Sequence, residues 1–182
     1  KTRHPFHITA ILKTYGRILK NHMFLKNTFA KSAAYTGFIA FYTVTPFMLQ
    51  HHLHVSTIAY GWFTLALTGS ILLAKLVNTL LLGFIDIHRL IFLSLCTLVL
   101  STLLLLTFAL FGLYSVSAVV IPFMLFGVAS GFLFSNTTVA SFHSFKKTAA
   151  GSVSGLHSGI QLFCAFAGSL IAAHLSTATL MP

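Results

Sequence analysis

Residues 121–175 contain two long apolar segments joined by the short polar link SFHSFKK, which carries Lys146 and Lys147. Each segment is long enough to cross a bilayer as a helix, at about 1.5 Å per residue and about 20 residues per crossing. Similar runs fill the rest of the chain. Of its 182 residues 57% are hydrophobic and 7% charged, against about 25% charged in an average soluble domain. A soluble fold of this size has too little interior to hide that much apolar surface. The fold class expected is therefore an all-α membrane protein, with lipid as its solvent. Glycines recur four apart, at Gly127 and Gly131 and again at Gly151, Gly155 and Gly159. That spacing lets a second helix approach closely where lipid gives no hydrophobic drive for association. All five are expected to pack helices. Ser154, Ser158 and Gln161 follow at i, i+4 and i+7, so a polar face adjoins the small one.

Taken in order, residues 1–28 form a basic segment. Ile8, Ile11, Leu12, Tyr15, Ile18 and Leu19 recur at helical spacing, with Lys13, Arg17 and Lys20 opposite. This is the pattern of an amphipathic helix lying on a membrane surface. Five spanning helices are expected at about 29–49, 58–82, 90–111, 116–140 and 149–175. Seven of the eleven Lys and Arg lie at or before Lys31, at the start of the first helix, three more lie in the links after the second and fourth helices, and Lys75 lies within the second helix. The positive-inside asymmetry then places the N-terminus in the cytoplasm. Such confinement of basic residues to the ends of apolar runs excludes nucleic-acid binding, which needs them on a polar, water-facing surface.

Chemistry is sparse. Cys96 and Cys164 lie inside apolar runs and read as packing residues. His51, His52 and His54 share a loop that offers neither acid nor thiol, so no metal site is expected, and no cofactor. The histidines at 22, 88, 143, 157 and 174 are scattered in depth, and Asp86 is the sole acid. No catalytic constellation, and so no enzyme, is expected. His157, early in the last helix, is able to titrate near neutral pH.

Particular stretches resemble a known family. ILKTYGRILKNHMFLKNTFAKSAAY resembles a central cytoplasmic loop entering a seventh helix. FIAFYTVTPFMLQHHLHVSTIAYGWFTLAL is similar to helix seven, the outer loop and the start of helix eight. Asn78 matches an asparagine late in helix eight, and SNTTVASFHSFKKTAAGSVSGLHSGIQ resembles the end of helix ten and the start of helix eleven. Together they resemble the C-terminal half of a major facilitator superfamily exporter of the Bcr/CflA drug-resistance group. The link after Asn78 departs from that pattern, holding only Arg89 with Asp86 and His88, and Val153 replaces a small residue.

The resemblance implies helices seven to eleven of a six-helix C-terminal bundle whose last helix is missing. The N-terminal half of the same transporter would be the other partner, beside the lipid bilayer. It implies proton-coupled antiport of small drug-like molecules, multidrug efflux, across a bacterial inner membrane, with the chain contributing half of the substrate cavity. The alternative is a non-transporting fragment or a membrane interaction subunit. Tyr35, Phe38, Tyr42, Asn136, Ser154, Ser158 and Gln161 are expected to line the cavity, and Asn78, Asp86 and Arg89 to make gate or loop contacts.

Overall fold

A computed structural model describes residues 8–113, 115–143, 145 and 149–179. Lys146 and Lys147 lie outside the described residues. The described chain is helical and contains no strand: α1 (Ile8–Leu19), α2 (His22–Phe47), α3 (Thr57–Leu81), α4 (Ile87–Leu110), α5 (Val116–His143) and α6 (Ala150–Thr179), with a π-helical turn at Met48–His52 after α2. Among the described residues α3 to α6 are each long and apolar enough to span a membrane. The protein is an all-α, multi-pass membrane protein.

Helix starts follow local chemistry. The side chains of Asn21, Ser56 and Asp86 accept hydrogen bonds from the backbone N–H of Phe24, Ala59 and His88, satisfying donors that a helix start leaves bare. Ser115 does the same for Ala118. At the end of α4, Gly112 takes φ of 67° and its N–H bonds to the Ala109 carbonyl, a left-handed close that glycine adopts without a Cβ clash. Pro46 near the end of α2 has no N–H to give the ladder, and the helix widens into the π turn directly after it.

Two expectations need correction here. The first span does not begin at residue 29. The Asn21 cap starts α2 at His22, so residues 22–28 belong to the bundle and only α1 stands apart. Nor does α2 match the other spans in character. At 26 residues it is about 39 Å long, enough to cross, but its first turns hold Lys26, Asn27, Thr28, Lys31 and Ser32. These place it outside the four strongly apolar helices.

Successive long helices alternate in direction. Thr28 meets His157 and Thr43 meets Ser169, so α2 and α6 run parallel. Lys31 meets Thr138 while Phe41 stacks on Phe123, so α5 runs against α2. The end where α2 and α6 start and α5 finishes is termed basal below. Helix α5 is the hub and packs on α2, α3 and α4, whereas α6 packs on α2 and α1. The main core joins Ala34, Leu67, Ile91, Leu98, Phe123, Phe126, Ala129, Leu133 and Ala140. Helix α1 docks at the basal end, where Ile18 and Tyr15 meet Phe24 and Val153. Part of its apolar face thus rests on protein, while Leu12 and Leu19 stay exposed.

The two glycine stripes fare differently. A Cβ on Gly131 would sit 2.7 Å from the Ile71 carbonyl oxygen and 2.7 Å from Ala74 Cβ, and one on Gly127 would sit 2.7 Å from Leu67 Cδ1. These glycines hold α5 against α3. Among the described residues, Gly151 and Gly159 have no atom within 4 Å of such a Cβ, and Gly155 meets only the Tyr15 hydroxyl at 3.8 Å. This corrects the expectation of a helix packed on that stripe: the face of α6 that enters the bundle is the opposite one, through Val153, His157 and Ala165. The glycine that does admit a neighbour is Gly168, where an added Cβ would collide with Thr36 Cγ2 of α2.

Candidate functional site

Polar side chains inside a membrane bundle need partners, because lipid offers none. Three cross-helix links tie four helices in sequence toward the basal end. Thr28 Oγ1 of α2 and His157 Nδ1 of α6 are hydrogen-bonded at 2.9 Å. Lys31 Nζ of α2 donates to Thr138 Oγ1 of α5 at 3.0 Å, and that hydroxyl donates on to the Phe134 carbonyl at 2.7 Å. Asn136 of α5 and Asn78 of α3 exchange two amide hydrogen bonds, 2.7 Å from Asn136 Nδ2 and 3.1 Å from Asn78 Nδ2. The layer therefore runs α6–α2–α5–α3.

Its electrostatics are one-sided. Lys75 of α3 is exposed, yet close enough for its charge to act on Lys31, and the charge of Lys31 acts in turn on His157. The one acid of the chain, Asp86, caps α4 outside this layer. Asn27 Nδ2, Ser141 Oγ and His157 Nε2 are buried without a hydrogen-bond partner. Asn27 lies four residues before Lys31 and Ser141 three after Thr138, so each shares a helix face with a member of the Lys31–Thr138 link.

Most of this layer was not among the expected site residues. Lys31 counts in sequence as a cation at a helix end, and Thr28, Asn27 and Thr138 carry no motif. The spacing Asn27, Thr28, Lys31 on one face was the available signal, legible only once α2 is known to start at His22.

The expected cavity residues are divided. Asn136 is fully buried and its amide is occupied by Asn78. It ties α5 to α3 and does not line a cavity. Asn78 is likewise an interhelical residue, not a gate or loop contact. Asp86 accepts from its own helix start at 2.9 Å and forms no ion pair among the described residues. Arg89 is exposed beside His88, Phe92 and Leu93.

Tyr35, Phe38 and Tyr42 are half-buried and belong to a series of rings between α2 and α5. Phe38 meets Tyr42 at 4.8 Å and Phe123 at 6.5 Å, and Tyr35 meets Phe134 edge-on at 6.1 Å. The Tyr42 hydroxyl is turned to Thr68 of α3. These aromatics pack helices on one side and keep an edge free on the other. An apolar hollow of about 210 Å³ lies between α2, α4 and α5 at the far end, walled by Phe41, Thr45, Leu105 and Phe108 among others, with none of the expected cavity residues.

Ser154 and Ser158 are exposed and Gln161 half-buried. Exposed hydroxyls on α3 and α4 bond back to a carbonyl one turn earlier, as Thr68, Thr79, Thr97 and Thr107 do. The side chains of Ser154, Ser158 and Gln161 make no hydrogen bond among the described residues, so the α6 face keeps its polar groups available. No group of three or more His, Cys, Asp or Glu that could hold a metal ion occurs among the described residues.

No family model matches the chain, and neither a curated protein nor a solved structure matches it.

Proposed function

We propose that the chain forms one wall of a small-molecule pathway across a membrane, as the C-terminal half of a major facilitator exporter would. The observation that carries this reading is the α6 face of Ser154, Ser158 and Gln161. Among the described residues, three hydrogen-bonding side chains stand there without a partner, flanked by glycines that no described helix fills. Left against lipid, the Gln161 amide alone would cost a few kcal/mol. Such a face needs water or another protein.

The arrangement supports the resemblance in a second way. Helices α2 and α5 form the middle of the bundle, α3 and α6 flank them, and α4 lies behind α5 with Phe92, Leu93, Val99, Leu103 and Leu106 exposed to lipid. That arrangement suits a pathway lined by α2, α3, α5 and α6, with α4 outside it. Basic residues Lys13, Arg17, Lys20, Lys26 and Arg89 gather at the basal end, which supports a cytoplasmic N-terminus in a bacterial inner membrane. No acid lies in α2 to α6, so a proton-coupled mechanism would place its carboxylate on the facing wall. The opposing wall, and the drug-like substrate, belong to this same proposal.

Cysteine accessibility tests the reading. Cys96 and Cys164 are first replaced by serine, and single cysteines are placed at 154, 158 and 161. A membrane-impermeant thiol reagent is expected to label them in native membranes and to be slowed by substrate. Labelling only by lipid-soluble reagents would refute a water-filled pathway. It would favour the second reading, a membrane interaction subunit, for which the bare Gly151, Gly155, Gly159 stripe is a docking face.

A further inference from the structure

We infer that the basal polar layer binds the anionic group of an amphipathic aromatic molecule, with Lys31 and Lys75 as the charged contacts. The inference rests on the pathway reading for its route of entry. The half-buried Lys31 ammonium of α2 belongs to the layer that holds His157, Lys75 of α3 is exposed but near enough for its charge to act on Lys31, and the chain places no carboxylate among its spanning helices. Positive charge within a membrane bundle is stabilised by a counter-charge. The chain's single acid is committed to the start of α4, so the counter-charge comes from another molecule.

The polar groups left over also favour an acceptor-rich guest. Asn27 Nδ2 can only donate, and Ser141 Oγ and His157 Nε2 can each donate. Asn27 is 6% exposed, Ser141 0% and His157 2%, and all three atoms lack partners. A carboxylate or phosphate has lone pairs for several such donors at once, and charge-assisted bonds of this type are the strong ones.

The aromatic part follows from the next turn. Tyr35 lies four residues after Lys31, and Phe134 four before Thr138, so the Tyr35–Phe134 pair sits about one helical turn, about 5.4 Å, beyond the Lys31–Thr138 link. Half-buried Tyr35 offers a ring at the distance where an aryl group would lie if its carboxylate met Lys31. A carboxylate on a flat ring system fits both features.

The test uses radiolabelled 1-naphthoate and the purified chain in phosphatidylcholine nanodiscs. Saturable binding is expected, with unlabelled 1-naphthalenemethanol, the neutral counterpart, competing at least about tenfold more weakly. Lys31→Met and Lys75→Met are each expected to lower affinity about tenfold or more, and Lys31→Arg to keep most of it. Lys75 is exposed, so its variant separates loss of charge from loss of fold. Equal competition by the alcohol, or unchanged binding in both methionine variants, would overturn the site.

A second arm identifies the source of the anion. If phosphatidylglycerol nanodiscs abolish naphthoate binding in the native chain, a lipid headgroup is the guest. If binding persists, it is a solute. Lysine-dependent binding without aqueous labelling at 154, 158 and 161 would keep this site and sink the pathway. Labelling without anion preference would do the reverse.

Discussion

The Asn78–Asn136 pair gives the sharpest energetic prediction, because both members are buried and each amide donates to the other. Replacing Asn136 by leucine removes two interhelical hydrogen bonds. Bonds of this kind in lipid average about 0.6 kcal/mol and reach about 1.7 kcal/mol, which gives about 1–3 kcal/mol for the pair. The change also strands the Asn78 amide, 2% exposed, at a further cost of about 1–3 kcal/mol. The single substitution should therefore destabilise by about 2–6 kcal/mol. Changing both to leucine removes the stranded amide, and the double variant should lie closer to the native protein than the sum of its parts. The expected coupling is about 1–3 kcal/mol. Reversible unfolding of the purified chain in bicelles, followed by circular dichroism, measures all four members of the cycle. Additivity within about 0.5 kcal/mol would refute the claim that this pair is closed on itself and joins α3 to α5.

The remaining stability predictions use the same assay, and one uses cross-linking. Gly131→Ala should cost about 1–3 kcal/mol, because its methyl would press on the Ile71 carbonyl, which cannot rotate away. Gly159→Ala should be neutral within about 0.5 kcal/mol, since nothing stands near it, and equal effects at the two sites would refute the split between the stripes. Gly168→Leu should separate α6 from α2 around Thr36, seen as loss of a disulfide cross-link engineered between positions 43 and 169, which the structure pairs at 3.1 Å through their hydroxyls. Ser101→Ala removes a 2.7 Å bond to the Pro122 carbonyl and should lower stability by about 0.6–1.7 kcal/mol. Asp86→Ala, on an exposed cap, should cost about 1 kcal/mol, while Asp86→Asn, which still accepts a hydrogen bond, should restore most of it.

Apolar run lengths sufficed to read the helices in sequence, because the bilayer thickness fixes how long such runs must be. The starts of α3 and α5 fall close to expectation for that reason. The start of α2 does not, because its first two turns are polar and look like a loop until Asn21 is recognised as a cap. The glycine stripes show a different limit. Gly127–Gly131 and Gly151–Gly155–Gly159 have identical spacing and opposite surroundings. Spacing establishes that a backbone could approach a face, but which face turns inward depends on the helix's place in the bundle. Helix α5 is surrounded by three neighbours and uses its stripe. Helix α6 lies at the edge, turned by the demands of Val153, His157 and Gly168 against α2.

The same reasoning explains why the polar layer was hidden while single polar residues were not. Gln161 and Asn136 each stand out in an apolar run, and either could have been assigned to a cavity on sequence grounds. Only one has its hydrogen bonds filled inside the chain, and that depends on Asn78, 58 positions away. Lys31 reads as a surface cation until α5 brings Thr138 beside it and α3 brings Lys75 near. Once those are in place, the sign of the imbalance is fixed: the spanning helices contribute ammonium groups and an imidazole and no carboxylate. Acceptors from within can satisfy donors, as Thr138 does for Lys31, but a hydroxyl does not neutralise a charge. The anionic guest we infer brings negative charge as well as lone pairs to this layer, which a wall of apolar helices or lipid tails would not.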